Sequence, residues 1–265
     1  MMKISVITAT WNSGKTVGDT LRSVFNQSFA NVEHIIKDGG SKDNTLEICK
    51  DFEQKYYSQA ANGGRTIKIL SDKDRGIYDA MNQGIEVATG DVIGILNSDD
   101  FYTSDDVLAR VAEEFAKDST LEAVYGDIHF VKDENLKKCT RYFSSRYFRP
   151  WALRFGFMPA HPSFYVRREV YERYGLYDLA FRTSSDFEMM VRLFVKEKIR
   201  AKYINKDFVT MRAGGESTAG IEAKKKVNRD IAGSLKKHGV YSNQLFQSLR
   251  YFWRIGELVY TKIKY

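Results

Sequence analysis

The run Val92-Ile93-Gly94-Ile95-Leu96 carries no charge and passes directly into Asn97-Ser98-Asp99-Asp100. A short apolar run of this kind reads as a strand buried on both faces, as in a parallel sheet covered by helices. The residues before it supply the crossover helix. Ile77, Ala80, Met81, Gly84, Ile85 and Ala88 fall at helical spacing, and Thr89-Gly90-Asp91 stops the helix. Ligands of open α/β sheets bind beyond the carboxyl ends of the strands, which is where Asp99 and Asp100 would stand. Adjacent carboxylates resist ionising together unless a cation is shared between them. The structural alternative is that the two acids cap the next helix. Thr103-Ser104-Asp105-Asp106 already spells a capping box for a helix beginning near Val107, which leaves Asp99 and Asp100 surplus to capping.

The rest of the first hundred residues repeats the same unit. Strands are expected over Lys3–Thr10, Val32–Lys37 and Thr66–Leu70, and a helix over 15–26 with Val17, Leu21, Val24 and Phe25 on one face. A second helix, capped by Ser41 or Asp43, turns Leu46, Ile48, Cys49 and Phe52 inward. Four strands with intervening helices predict an α/β fold with a doubly wound, mostly parallel sheet. Gly14-Lys15-Thr16 is not a phosphate loop, because Ala9 stands where that motif needs its first glycine and Trp11 sits inside it.

Beyond residue 120 the pattern changes. Strands over 123–131 and 137–143 form a hairpin across 132–136, followed by the aromatic and basic segment Tyr142–Phe157. That segment either packs its rings on the sheet or forms a wall of an acceptor site. A short strand over 163–166 leads into a helix over 168–174 closed by Gly175. Ser184-Ser185-Asp186 opens another helix, with Met189, Met190, Leu193 and Phe194 inward, and a last strand lies within 201–211. Gly214-Gly215 reads as a hinge. The expected organisation is one domain over 1–215, with a nucleotide half to about 100 and an acceptor half after it, and a helical tail over 216–265.

The formal net charge of +7 matches that of residues 221–265, where ten Lys/Arg face three acids. A nucleic-acid enzyme would concentrate basic residues around its active site, so no nucleic-acid partner is expected. In the tail, Leu245, Leu249, Phe252, Gly256, Val259 and Ile263 step by threes and fours, with Phe246, Trp253 and Tyr260 beside them. An amphipathic basic helix of this kind suits an anionic membrane surface. The alternative is a helix packed on the core or on a second copy in a homo-oligomer. No run approaches the ~20 apolar residues of a membrane span. MMKISVITAT enters a strand at once, and Cys49 and Cys139 lie in no metal-ligand spacing. Both cysteines read as core residues of a cytoplasmic protein, soluble or peripheral on the inner face of the plasma membrane.

Three strand ends present small polar or acidic groups: Thr10 with Asn12, Asp38-Gly39-Gly40, and Asn97-Ser98-Asp99-Asp100. Convergent loops of this kind suit a nucleotide whose diphosphate shares a metal with the acids. The ordered set SVITATWNSGKTVGDTLRSVFNQSF, IIKDGGSKDNT, DRGIYDAMNQGIEVATGDVIGILNSDD, YGD (Tyr125–Asp127), HPSFYVRR and SSDFEMMVRL resembles the family 2 glycosyltransferases of GT-A fold. Within these it is similar to the WcaA-type branch that builds capsule or O-antigen repeat units, over residues 3 to about 212. The resemblance implies an inverting transfer of a hexose or N-acetylhexosamine from a nucleotide sugar, UDP by expectation, to an acceptor hydroxyl. The implied acceptor is a saccharide linked to a polyprenyl diphosphate.

By the same resemblance Thr8, Thr10, Asn12, Asp38 and Gly39 line the nucleotide pocket, Asp38 reading the base. Asp74, Arg75, Asp79 and Asn82 serve ribose, diphosphate and donor sugar, together with Asn97 and Ser98. Asp99 is the implied ligand of Mn²⁺ or Mg²⁺, with Asp100 and His161 as further candidates, and Asp186 is the implied general base. The pattern departs from the family where Asn97 replaces the first acid. Two rival classes stay open. A sugar nucleotidyltransferase would normally open with a glycine-rich basic loop, which SVITATWNSG is not. A catalytically weak, membrane-attached nucleotide-sugar-binding protein is suggested by Asn97 and the tail.

Overall fold

The computed structural model describes residues 2–58, 63–214 and 220–264. In chain order the first half is β1 (Ile4–Thr10), α1 (Val17–Phe25), β2 (Val32–Asp38), α2 (Thr45–Phe52), β3 (Thr66–Ser71), α3 (Ile77–Val87) and β4 (Val92–Ile95). The second half is β5 (Phe101–Tyr102), α4 (Val107–Lys117), β6 (Ala123–Val131), β7 (Arg141–Phe143), β8 (Tyr165–Arg167), α5 (Arg168–Tyr174), α6 (Ser185–Val191), β9 (Ala201–Arg212), α7 (Gly220–Lys237) and α8 (Gln244–Lys264). The strands form one sheet in the order β3-β2-β1-β4-β8-β6-β9-β5, with β7 paired to β6.

The first four strands are parallel, as their apolar runs require. The later half is mixed, with β6 parallel to β9. Strand β8 runs antiparallel to both β4 and β6, and β5 antiparallel to β9. The register matters most at the strand ends: Thr10 lies opposite Asp38, and Asp38 opposite Ser71. Three polar side chains are thereby level at one rim.

Helices cover both faces. On one, Ile7, Ala80, Met81, Ile85, Val170, Met189, Met190 and Leu193 are buried together under α3, α5 and α6. Helix α3 reaches β1 closely because Gly84 has no side chain: a Cβ there would lie 2.5 Å from Ile7 Cγ2. On the other face α4 buries Val107, Leu108, Val111, Ala112 and Phe115 against β5, β6 and β9. Burial of Phe115 alone is worth about 1.5–3 kcal/mol.

Several local expectations are corrected. The capping box before α4 does not form, because the Thr103 hydroxyl turns to Thr210 at 3.3 Å across the sheet edge and Ser104 binds Asp106 at 2.7 Å. Asn44, not Ser41 or Asp43, precedes α2, since Ser41 Oγ is drawn to Asp38 and Asp43 holds Thr45. Leu46 and Ile48 are only half-buried, and Ile77 is exposed. The β7 strand is shorter than 137–143, because residues 132–138 turn back on themselves. Residues 161–163 form a helical turn, so β8 starts at Tyr165. Cys49 is buried, whereas Cys139 is half-exposed beside that hairpin.

The tail does not hang free. Ile231 and Leu235 of α7 join the core, and Glu188, fully buried on α6, accepts from Lys237 at 2.9 Å and His238 at 2.7 Å. Of the expected hinge, Gly214 has φ +124°, and Gly215 lies outside the described residues. No helix among the described residues is long and apolar enough to cross a membrane.

Candidate active site

The rim is built by the ends of β1, β2 and β4. Asp38 ends β2 and is almost wholly buried, and its carboxylate is saturated. Thr10 Oγ1 donates to Oδ1 at 3.1 Å, Ser41 Oγ to Oδ1 at 2.5 Å, and Ser71 Oγ to Oδ2 at 2.8 Å. The backbone N–H groups of Gly40 and Ser41 add bonds of 3.1 Å each. Burial alone would raise the Asp38 pKa; these donors outweigh it and hold the group below the usual carboxylate range. Asp38 therefore fixes the β2–α2 turn through its carboxylate.

Asn12 adopts φ +50°, and its Oδ1 accepts from Lys42 N at 2.9 Å, stitching the β1–α1 turn to that same turn. Ser13 Oγ lies 2.8 Å from Ser98 Oγ, which ties the acidic loop into the same assembly. Thr8 is not brought to the rim. It is fully buried, with Oγ1 3.0 Å from His34 Nε2 on the adjacent strand.

The β3–α3 turn closes the rim from the other side. Asp74 lies over Gly39, where a Cβ would come within 2.6 Å of Asp74 Oδ2. Its Oδ1 accepts from Gly76 N at 2.9 Å. Beneath it Lys37, buried in β2, donates to the carbonyls of Asp38 and Asp72 at 2.8 and 2.5 Å and stands 3.7 Å from Asp74. Asp79, in the first turn of α3, accepts from Arg75 through both backbone and guanidinium at 2.9 Å, and these bonds lower its pKa. The Arg75 side chain remains 78% exposed at the rim. Asn82 plays a different part: its amide exchanges two 2.9 Å bonds with the Tyr177 backbone, pinning α3 to the later half.

In the acidic loop the two aspartates separate. Asp100 is 1% exposed; it accepts from Arg212 N and from the Asn97 amide, both at 3.3 Å. The Arg212 guanidinium donates to the Asp99 carbonyl at 2.5 Å and pairs with Asp19 and Asp133. Asp99 is less buried, and burial is the first cause that raises its pKa. Asn97 Oδ1 is a buried acceptor with no donor among the described residues. No group of three or more His, Cys, Asp or Glu among the described residues is arranged to hold a metal. An orphaned amide oxygen and one carboxylate that burial leaves under-stabilised nevertheless fit a hard divalent cation. Such a cation takes oxygen ligands and commonly completes its shell with substrate phosphates and water.

The remaining candidates meet on the later half. Asp186 lies inside the first turn of α6, with Ser184 at the N-cap. Its Oδ1 accepts from Phe187 N and from Tyr78 Oη, each at 2.9 Å. Burial and the adjacent Asp186 carboxylate raise the Tyr78 pKa well above its usual value, so its hydroxyl stays a donor. His161 is buried and lies 2.6 Å from the Tyr177 hydroxyl through Nε2. Burial lowers its pKa, opposed by the charge of Asp186, so His161 belongs with Asp186 and its tyrosines. Lys37 and Tyr78 lie inside the motifs IIKDGGSKDNT and DRGIYDAMNQGIEVATGDVIGILNSDD, where no local signal sets them apart, and Arg212 ends β9 well beyond any of those motifs.

The sequence model described as "Glycosyl transferase family 2" matches residues 5–175. A "PGL/p-HBAD biosynthesis glycosyltransferase" of Mycobacterium bovis is 30% identical over 201 residues, covering 76% of this chain and 73% of that one. Among solved structures, Staphylococcus aureus TarS (residues 1–349, in complex with UDP) has TM-score 0.63 and 17% identity, over 91% of this chain and 67% of that one. The mannosyltransferase PcManGT of Pyrobaculum calidifontis, in complex with GDP-Man and Mn²⁺, has TM-score 0.61 and 14% identity, over 99% and 86%. The two structures share the fold: a mixed α/β sheet flanked by helices, of GT-A type.

Proposed function

The chain belongs to glycosyl transferase family 2, and on that premise we propose that it moves a hexose or N-acetylhexosamine from a UDP-sugar to a hydroxyl of a lipid-linked saccharide, inverting the anomeric centre. The reaction serves a cell-surface polysaccharide of the capsule or O-antigen kind, at the inner face of the plasma membrane.

One observation carries the reading. Asp74 and Arg75 lead into helix α3, Asp79 stands in its first turn, and within that same turn Tyr78 hydrogen-bonds Asp186. A donor-binding segment and a proton acceptor are thus held by one helix. The β1, β2 and β4 ends seat the nucleotide, Asp38 setting the turn that faces the base. The guanidinium of Arg75 is exposed and within reach of a diphosphate at the rim, while Asp79 would keep the Arg75 backbone N–H and the Gln83 amide as donors if that side chain moved.

Asn97 and Asp99 would hold Mn²⁺ or Mg²⁺, which when bound neutralises charge on the leaving diphosphate. The acceptor oxygen attacks the anomeric carbon opposite the nucleotide. The new C–O bond forms as the bond to the diphosphate oxygen breaks, and the hydroxyl proton passes to Asp186. Asp186 Oδ1 is engaged by Tyr78 and Phe187, and Oδ2 has no hydrogen bond among the described residues, so Oδ2 is the oxygen that takes it.

A thermal-shift panel of UDP-, GDP- and dTDP-sugars tests this. Ligand at a hundredfold excess over Kd stabilises by ~2.7 kcal/mol, which for a chain of this size raises Tm by roughly 5 °C. A UDP-sugar with Mn²⁺ should give that shift and EDTA should remove it. Selective stabilisation by GDP-mannose would overturn the base assignment, and an EDTA-insensitive shift the metal.

A further inference from the structure

Between Asn135 and Arg168 the sequence holds eight Lys/Arg and no Asp or Glu. The fold brings this acid-free stretch against the tail, which supplies the chain's whole excess charge. The hydroxyl of Thr261 on α8 accepts from Tyr142 N at 2.8 Å, and Arg250 bonds Asn228 beside Gly156. A ladder of rings joins the two parts: Trp151 to Phe155 at 5.8 Å, Phe155 to Phe246 at 5.0 Å, and Phe246 to Tyr241 at 6.1 Å.

The inner rings of this ladder pack, and the outer ones do not. Trp151 is 64% exposed, Tyr147 68%, Tyr241 69% and Leu245 71%. Arg146 and Arg149 are exposed beside them and pair with no carboxylate among the described residues. Helix α8 therefore turns Phe246, Arg250 and Thr261 to the protein and leaves Leu245 and Leu249 outward. Exposed large aromatics on a monomer mark an interaction surface. The composition here is selective about the partner. Trp and Tyr with a polar edge settle at the level of lipid headgroups, and a basic face without acids is attracted to an anionic leaflet. A protein partner would need a matching acidic surface that still admits these rings.

We infer that the face formed by the 146–151 segment and the start of α8 docks on an anionic lipid surface, with Trp151 and Tyr147 entering the headgroup layer. This rests on the proposed lipid-linked acceptor, and sharpens it: the loop, not the tail helix alone, carries the contact. Each arginine near such a surface contributes about fivefold in partitioning, so losing Arg146 and Arg149 should cost roughly 30-fold.

The test uses the full chain and sedimentation with vesicles of phosphatidylcholine, with and without phosphatidylglycerol. UDP affinity in solution is measured on the same preparations. Unaltered protein should bind only the anionic vesicles, less so at high salt. Trp151→Ser/Tyr147→Ser and Arg146→Gln/Arg149→Gln should each weaken binding at least tenfold while UDP affinity holds. Vesicle binding unchanged in both variants would overturn the proposal, as would equal binding to pure phosphatidylcholine. A concentration-dependent dimer that both variants abolish would assign the face to a second copy instead. Loss of UDP affinity in the unaltered protein would strike the transferase reading and leave this one standing.

Discussion

Replacing Asp186 by asparagine should abolish transfer and leave donor binding intact. The magnitudes follow from how the carboxylate is held. Oδ1 carries the bonds from Phe187 N and Tyr78 Oη, and an amide oxygen in its place keeps both. What changes is Oδ2, which becomes an NH₂ and cannot take a proton. General-base assistance is worth ~10²–10⁴-fold, so turnover should fall by at least a hundredfold. Stability should change little, since removing one negative charge from a helix first turn costs about 0.3–1 kcal/mol.

The competitors are already engaged. Glu188 is fully buried among Arg192, Lys237 and His238, and Asp178 is paired with Lys237 at 2.6 Å. Neither should rescue the variant. The assay is single-turnover transfer with UDP calorimetry and circular dichroism on one folded preparation. Near-normal turnover would remove Asp186 from the chemistry, and a lost UDP affinity would move it to the donor site. Tyr78→Phe is the companion measurement. It removes a bond to a charged group, worth ~1.5–3 kcal/mol, and should lower turnover at least tenfold with donor KM unchanged.

Two further outcomes follow from burial. His34 is wholly enclosed, bonded through Nε2 to Thr8 with Nδ1 unpartnered, and burial pushes its pKa down to about 3. The unfolded chain takes up a proton below about pH 6.5 while the folded chain does not. Stability should therefore fall by roughly 1.4 kcal/mol per pH unit from about pH 6.5 towards 3. Urea unfolding of His34→Gln against the unaltered chain should show that slope in the difference, and parallel curves would refute it. Asp99 works in the opposite sense: burial raises its pKa, so protons compete with a cation at a higher pH than an ordinary carboxylate allows. Calorimetry with Mn²⁺ and UDP should show affinity falling early on acidification and lost in Asp99→Ala. Undiminished Mn²⁺ binding in that variant would exclude Asp99 as a ligand.

The donor half was legible because its signals are local. A strand buried on both faces must be apolar throughout, and the residues that end it are adjacent in sequence, so Thr10, Asp38 and Asn97–Asp100 could be placed on one rim from spacing alone. The later half was legible in its elements but not in its pairings. Nothing in the spacing of Tyr165–Arg167 says that this strand runs antiparallel to β4. The same limit explains Thr103, whose hydroxyl left its capping position for a partner 107 residues away. It also explains Thr8, because alternation along β1 cannot tell a hydroxyl that meets a ligand from one that meets His34.

The separation of Asp99 from Asp100 shows what the later half does for the earlier one. Two adjacent acids at a strand end look equivalent in sequence. In the structure Asp100 takes its backbone donor from Arg212, the last residue of β9, and Arg212 in turn bonds the Asp99 carbonyl and reaches Asp19 on α1. One arginine thus fixes the acidic loop from behind while presenting its charge to neither carboxylate as a hydrogen-bonded partner. A guanidinium bound directly to the Asp99 carboxylate would satisfy it and leave no deficit for a cation. Held through its carbonyl, Asp99 keeps a carboxylate that burial leaves under-stabilised, two residues along from an Asn97 oxygen that also lacks a donor among the described residues. Strand β9 of the later half thus builds the acidic loop of the earlier one, so the sequence boundary near residue 100 is not a structural boundary at this rim.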